Sequence, residues 1–289
     1  MGFSSLDAIV NAATVDGKTN AIFWQKASAN SGAGAAGRWY ELLSSPGVPS
    51  AVTFSGSAGV ATALNSSTVG AMPLIEGNVS PNTRHMISMS AWSNSTTVAP
   101  AQLILCDFLL YYPVNVVTGT PTTLNNSVTL PRYTDGIGVQ AICSVSAAGA
   151  LGAASPALTF TFTATDSAGT TSSQTGILTS PGNSAPTRTC FASNGGVFLP
   201  IPNGRVGVRR IDSYTLASGT AGTVNFILVK PLATIPLAAT YIASERDLLY
   251  QIPALPQIQD GACLGWLVMP GGNMAANSNI MGTIRYAWN

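Results

Sequence analysis

The chain has 289 residues, enough for one large all-β domain or for a domain with a long appendage. Charged residues are only 8% of it, against about 25% in an ordinary soluble protein, and the formal net charge is +1. Such a balance argues against the basic stripe of a nucleic-acid binder, and no run of about 20 apolar residues is present to cross a bilayer as a helix.

Residues 4–15 carry the one convincing helical pattern. Leu6, Ile9, Val10 and Ala13 recur at three- and four-residue spacing, Ser4 or Ser5 stands ready as a cap, and Asp16-Gly17 ends the run. The opening MGFSSLDAIV lacks the basic start and long apolar core of a signal peptide, so assembly in a cytosol is the expectation. Two aromatic segments follow, residues 21–25 (AIFWQ) and 38–43 (RWYELL), separated by a Ser/Ala/Asn/Gly spacer of flexible composition. Phe23, Trp24, Trp39 and Tyr40 are large anchors in a small-residue region. Either they pack on the chain's own body or they dock on a neighbouring subunit. Residues 44–100 are poor in charge, rich in Gly, Ser, Thr and Pro, and weak in strand signals except at 51–54 and 85–92. The expected organisation is therefore an N-terminal arm over residues 1–95, with one short helix and mostly irregular, followed by a β body over 96–289.

The apolar run 103–112, broken only by Cys106 and Asp107 and closed by Pro113, reads as a central strand buried on both faces. Residues 128–133 read as its next partner, with Asp135-Gly136 as a turn. Residues 137–146 alternate, and LTFTFTAT over 158–165 places Leu158, Phe160 and Phe162 on one face and threonines on the other. Further strand signals lie at 172–179, 187–192, 197–201, 206–216, 222–229, 263–269 and 280–288, while 241–252 is ambiguous between strand and helix. Strands at this spacing, punctuated by Gly, Asn and Asp, predict an all-β sandwich or jelly roll.

Chemistry is sparse. There is one histidine, His85, with no partners at metal or triad spacing, and the phosphate-loop, dinucleotide, nucleophile-elbow and zinc-helix motifs are absent. Cys106, Cys143, Cys190 and Cys263 are widely spaced and read as buried free thiols. Glu245, Arg246 and Asp247, with Asp260 beyond, form a charged island better suited to fixing register at an interface than to paired-carboxylate hydrolysis. Arg205, Arg209 and Arg210 make a mild basic patch balanced by Asp212. No enzyme, no cofactor and no metal are expected.

Scattered phrases, namely MGFSSLDAIVNAATVDGK, GRWYELL, CDFLLYYP, SVTLPRYTDGIGVQA and ASERDLLYQIPALPQIQDGACLGWLVMP, resemble virion structural proteins of tailed bacteriophages. The resemblance implies a non-enzymatic particle component located in the virion and assembled in the host cytoplasm. Foremost is a head decoration (cement) protein that bridges capsomers of the major capsid protein, commonly as a homotrimer. A jelly-roll capsid subunit and a tail or fibre component are the neighbouring readings. Candidate inter-subunit contacts are Phe23, Trp24, Trp39, Tyr40, Glu245, Arg246 and Asp247. No specific nucleic acid and no membrane are implied. From another class comes a carbohydrate-binding β-sandwich, with Trp92, Trp266 and Trp288 as stacking aromatics.

Overall fold

The computed structural model describes residues 2–27, 35–95, 97–116, 119–147, 156–180, 187–217, 222–251, 255–274 and 278–289. Its elements in order are α1 (Leu6–Thr14), β1 (Thr19–Ala27), β2 (Tyr40–Glu41), β3 (Gly47–Val48), β4 (Thr62–Ala63), β5 (Arg84–Ser93), β6 (Ala101–Val116), β7 (Thr122–Thr123) and β8 (Gln140–Val145). Then follow β9 (Ala157–Thr165), β10 (Thr171–Thr179), β11 (Gly207–Leu216), β12 (Gly222–Leu237), β13 (Ser244–Asp247), α2 (Leu248–Gln251), β14 (Gln257–Ile258), β15 (Leu264–Pro270) and β16 (Asn279–Trp288). The fold is all-β, built of antiparallel sheets. Helix α1 starts as its sequence indicates: the Ser5 side chain accepts the Ala8 N–H at 3.1 Å, and Ile9 and Ala12 face inward.

Strand β6 organises the molecule. It runs 16 residues in a central sheet of order β2-β15-β6-β12-β8, with β4 also paired to β6. Both its faces are buried, because its apolar residues are continuous rather than alternating. Pro113 does not end it. In an antiparallel strand a residue's N–H and C=O point to the same side, and Pro113 turns both away from β12, where its carbonyl accepts the Gly59 N–H at 2.7 Å. No ladder bond is lost by the missing proton.

Two β-bulges let one face of this sheet serve two purposes. Leu109 is the extra residue on β6 and Leu232 the extra residue on β12, and each reverses the in-out parity of its strand. On that face Leu103 and Leu105, with Ile235, Leu237 and Trp266, pack against a sheet of order β13-β5-β16-β1-β3, to which β14 is added beside β5. Farther along the same face Tyr112, Val114, Phe226 and Leu228 pack against a sheet of order β10-β9-β11-β7. The opposite face, with Ile104, Cys106, Phe108 and Tyr111, is covered by Trp39, Leu43, Val52 and Leu64 from irregular chain and by the 190–197 stretch.

The segment expected as a mostly irregular arm contributes strands to these layers. β1 sits between β16 and β3, with Thr19 opposite Ala287, and β5 sits between β13 and β16. Nothing in the local sequence of β1 announces a partner more than 250 residues away, which is why the segment reads as detached. The spacer between the two aromatic segments falls over residues 28–34 outside the described residues. Five strand expectations also need correction. Residues 51–54 and 128–133 form no strand, the latter being loop that carries Arg132 to the core, residues 137–139 stay outside β8, residues 187–192 make only isolated bridges, and residues 197–201 are irregular. The Asp135-Gly136 turn is present, with Gly136 at φ 78° and its N–H bonded to Tyr133 C=O. The β9–β10 hairpin forms as its alternation requires, with Leu158, Phe160, Phe162 and Ala164 buried and Thr159, Thr161 and Thr163 on the other face, although Thr165 at the strand end is also buried.

Candidate functional site

Alternation decides the fate of the first aromatic pair. Phe23 and Trp24 are neighbours on β1 and must face opposite sides of the sheet. Trp24 turns inward and packs its ring on Trp266 at 4.8 Å between centroids. Phe23 turns outward and is 72% exposed, beside Val48 at 63%. These two, with Gln25, Ser90, Trp92, Met281 and Thr283, line an open groove of about 460 Å³ that holds no charged side chain. It lies on the outer face of the β1–β5–β16 sheet, where cross-strand neighbours Met281 and Trp92, and Thr283 and Ser90, stand side by side. Ser90 and Thr283 hydroxyls bond each other at 2.8 Å, so the groove's polar atoms are partly satisfied without a partner.

The second pair is interior. Trp39 is buried with its Nε1 donating to Gly195 C=O at 3.2 Å, and buried Tyr40 holds the Ala35 N–H on its hydroxyl at 2.6 Å. Of the four aromatic anchors, therefore, Phe23 alone is open to another molecule, while Trp24, Trp39 and Tyr40 are spent on the chain's own core. Trp266 is fully buried and so out of reach of an external ligand, whereas Trp288 is partly buried against the same core.

The acidic candidates are dispersed. Glu245, Arg246 and Asp247 sit on β13 at the sheet edge. Arg246 donates to the Thr234 C=O at 2.6 Å and hydroxyl at 2.9 Å, tying β13 to β12, and Asp247 accepts the Leu249 N–H at 2.9 Å to start α2. Glu245 is exposed, and its carboxylate meets no partner among the described residues. Asp260 lies elsewhere, 3.5 Å from Arg84, accepting the Val79 and Ser80 N–H groups. His85 is half-buried between Thr83 Oγ1 (3.0 Å) and Leu255 C=O (3.4 Å), and burial lowers its pKa.

The chain's most demanding electrostatics are structural and were not singled out by motif reasoning. Arg132 forks onto Asp107 at 2.8 and 2.7 Å in the core, also donating to Leu64 and Phe108 carbonyls, while Cys263 N–H fills Asp107 Oδ1. Burial pushes the Asp107 carboxyl up, and Arg132 pulls it back. Buried Lys26 donates to four carbonyls, of Leu43, Ser45, Pro49 and Ser50, and burial lowers its pKa to about 8. Glu41 is buried against Ser44, its carboxyl raised by desolvation. Fully buried Arg84 pairs with Glu76, bonds Gly77 C=O at 2.6 Å, and lies over the Tyr286 ring. A carboxylate and an arginine 25 residues apart carry no periodic signal, although a charge inside an apolar run, as at Asp107, does ask for a partner.

Among the described residues no group of three or more His, Cys, Asp or Glu is placed to hold a metal ion, and no helix is long and apolar enough to cross a membrane. No protein-family model, curated protein or solved structure matches the chain.

Proposed function

We propose that this chain is a non-enzymatic structural protein of a tailed-phage virion, in the first place a head decoration protein that binds the major capsid protein and bridges capsomers as a homo-oligomer, commonly a trimer. One observation carries the reading: charge is scarce on the surface where another molecule would sit. The chain has 12 Lys and Arg and 11 Asp and Glu, and of these Lys26, Glu41, Arg84, Asp107 and Arg132 are buried. The uncharged groove around Phe23 then has the character of an interface centre, with aromatics and methionine present and charges depleted. Layered antiparallel sheets, pinned by buried ion pairs, suit a sandwich-like body under load. A jelly-roll shell subunit or a tail component shares these properties.

The test is the molar mass of the purified protein by light scattering, alone and after mixing with undecorated heads. A stable oligomer that co-sediments with heads supports decoration. A monomer that ignores heads overturns it.

The groove also favours a second reading, a carbohydrate-binding module, because Phe23 and Trp92 flank Gln25, Ser90 and Thr283. A neutral glycan that shifts groove resonances without changing molar mass would select it.

A further inference from the structure

Separate from the Phe23 groove is a polar cavity of about 290 Å³ on the outer face of the β9–β10–β11 sheet, walled by the 126–134 stretch. Two successive arginines, Arg209 and Arg210, both line it. A regular strand sends successive side chains to opposite faces. Here the register of β11 on β9 slips between Val208 and Arg210 and again between Ile211 and Ser213, leaving Arg209 and Asp212 as extra residues. The first bulge brings Arg209 to the same side as Arg210, and the second brings Asp212 within 2.6 Å of Arg210 Nε and 2.8 Å of the Thr163 hydroxyl. Gly136 makes room for this: a Cβ there would lie 2.5 Å from Arg209 Cγ. Gly207 lets the 136–138 turn press on the start of β11, since a Cβ there would lie 1.9 Å from Gly136 C=O.

The charges in this cavity are unequal. Arg210 is neutralised by Asp212, whereas the Arg209 guanidinium makes no hydrogen bond or ion pair with a described residue. The hydroxyls of Thr129, Thr134 and Thr171 on the cavity wall are likewise without a partner among the described residues. One unspent guanidinium among three free hydroxyls, over the apolar floor of Val128 and Leu130, matches a ligand with one carboxylate and several hydroxyls.

We infer that this cavity is a subsite for a carboxylated sugar residue, a uronic-acid-type unit of an acidic glycan, with Arg209 on the carboxylate and the threonines on the ring hydroxyls. The volume stands at the lower end of the ~300–1,000 Å³ typical of small-molecule sites, room for one ring. A phosphate dianion is disfavoured, because the cavity offers one net positive charge and Asp212 would repel the second negative one.

The experiment titrates the full-length protein with glucuronate, glucose and inorganic phosphate, followed by NMR shifts of the cavity residues. Glucuronate is expected to saturate with a Kd on the order of 1 mM, as fits a single small ring, with glucose and phosphate at least about tenfold weaker. Arg209→Ala is expected to weaken glucuronate about tenfold or more while leaving Tm unchanged, since Arg209 is exposed, and Arg209→Lys to restore part of the loss. Equal binding of phosphate or glucose, or undiminished glucuronate binding by Arg209→Ala, would overturn the assignment. Oligomerisation and head binding are unaffected by either outcome.

Discussion

The two ends of β6 are covered by sheets of opposite character. The β1–β5–β16 sheet buries Trp24, Met86, Met89, Ile284 and Tyr286 and turns Phe23, Trp92 and Met281 outward. The β9–β11 sheet buries Phe160, Phe162 and Tyr214, in edge-to-face contact with Phe226 from Phe160 and Tyr214, and turns threonines and arginines outward. The inner faces are alike: both are aromatic and packed on the central sheet. The outer faces are not: one presents Phe23, Trp92 and Met281 with no charged side chain, the other threonines and two arginines. The scaffold is common to both, and the difference lies in the residues that point away from it.

Removing residues 1–95 separates the two sheets most completely. That deletion takes β1 and β5 out of the first sheet and Trp24, Tyr40 and Leu42 out of the core. The expected product is an unfolded or aggregating chain, read as lost near-ultraviolet dichroism; a soluble, cooperatively melting remainder would mean that the second sheet and β6 fold alone. Next in size is the buried pair of Asp107 on β6 and Arg132 on the loop beside it. Arg132→Ala leaves Asp107 charged and unpaired in the core, and chemical denaturation is expected to show a loss of about 3–5 kcal/mol. An isosteric apolar pair, Arg132→Met with Asp107→Leu, is expected to recover most of it.

Alkaline pH tests the core both sheets share. All four thiols are free and buried, and burial raises each above the ordinary 9.0, Cys263 to about 12. The unfolded chain therefore loses thiol protons first, so their contribution is full below about pH 9 and falls as pH rises past it. Lys26 works the other way: with its pKa lowered to about 8, it favours folding increasingly between pH 8 and its ordinary 10.5, and Lys230, also lowered by burial, acts with it. Against these two stand the thiols and the four tyrosines, Tyr40, Tyr112, Tyr133 and Tyr286, that burial raises. The denaturation midpoint is expected to fall above pH 9, and a thiol reagent to find no reactive cysteine in the native state at pH 7. The smallest expected effect on stability is Phe23→Asp, within about 0.5 kcal/mol for so exposed a site. Its effect on association is expected to be large, with the oligomer lost in light scattering; an unchanged molar mass would remove the Phe23 groove from the interface.

What the sequence made legible followed distance along the chain. The continuous run of β6 and the alternation of LTFTFTAT each declare their own burial, and α1 and its Ser5 cap are local events. Pairings across the whole length are not local, and so β1 and β5 read as an arm. Alternation states that Phe23 and Trp24 part company but not which one goes inward; that depended on Trp266 waiting on β15. The Lys26 carbonyl cage and the Arg209 bulge have no pattern at all, because both arise from backbone placed by tertiary packing.

The pairing of Thr19 with Ala287 also has a consequence in time. β1 can pair early with nearby β3, but its long ladder waits for β16, more than 250 residues later. The sheet that carries Phe23, and with it the groove, is complete only when both strands are present. Pairing across so great a separation makes folding slow. For the association proposed above, that delay is itself a safeguard, because the groove cannot form ahead of the rest of its sheet.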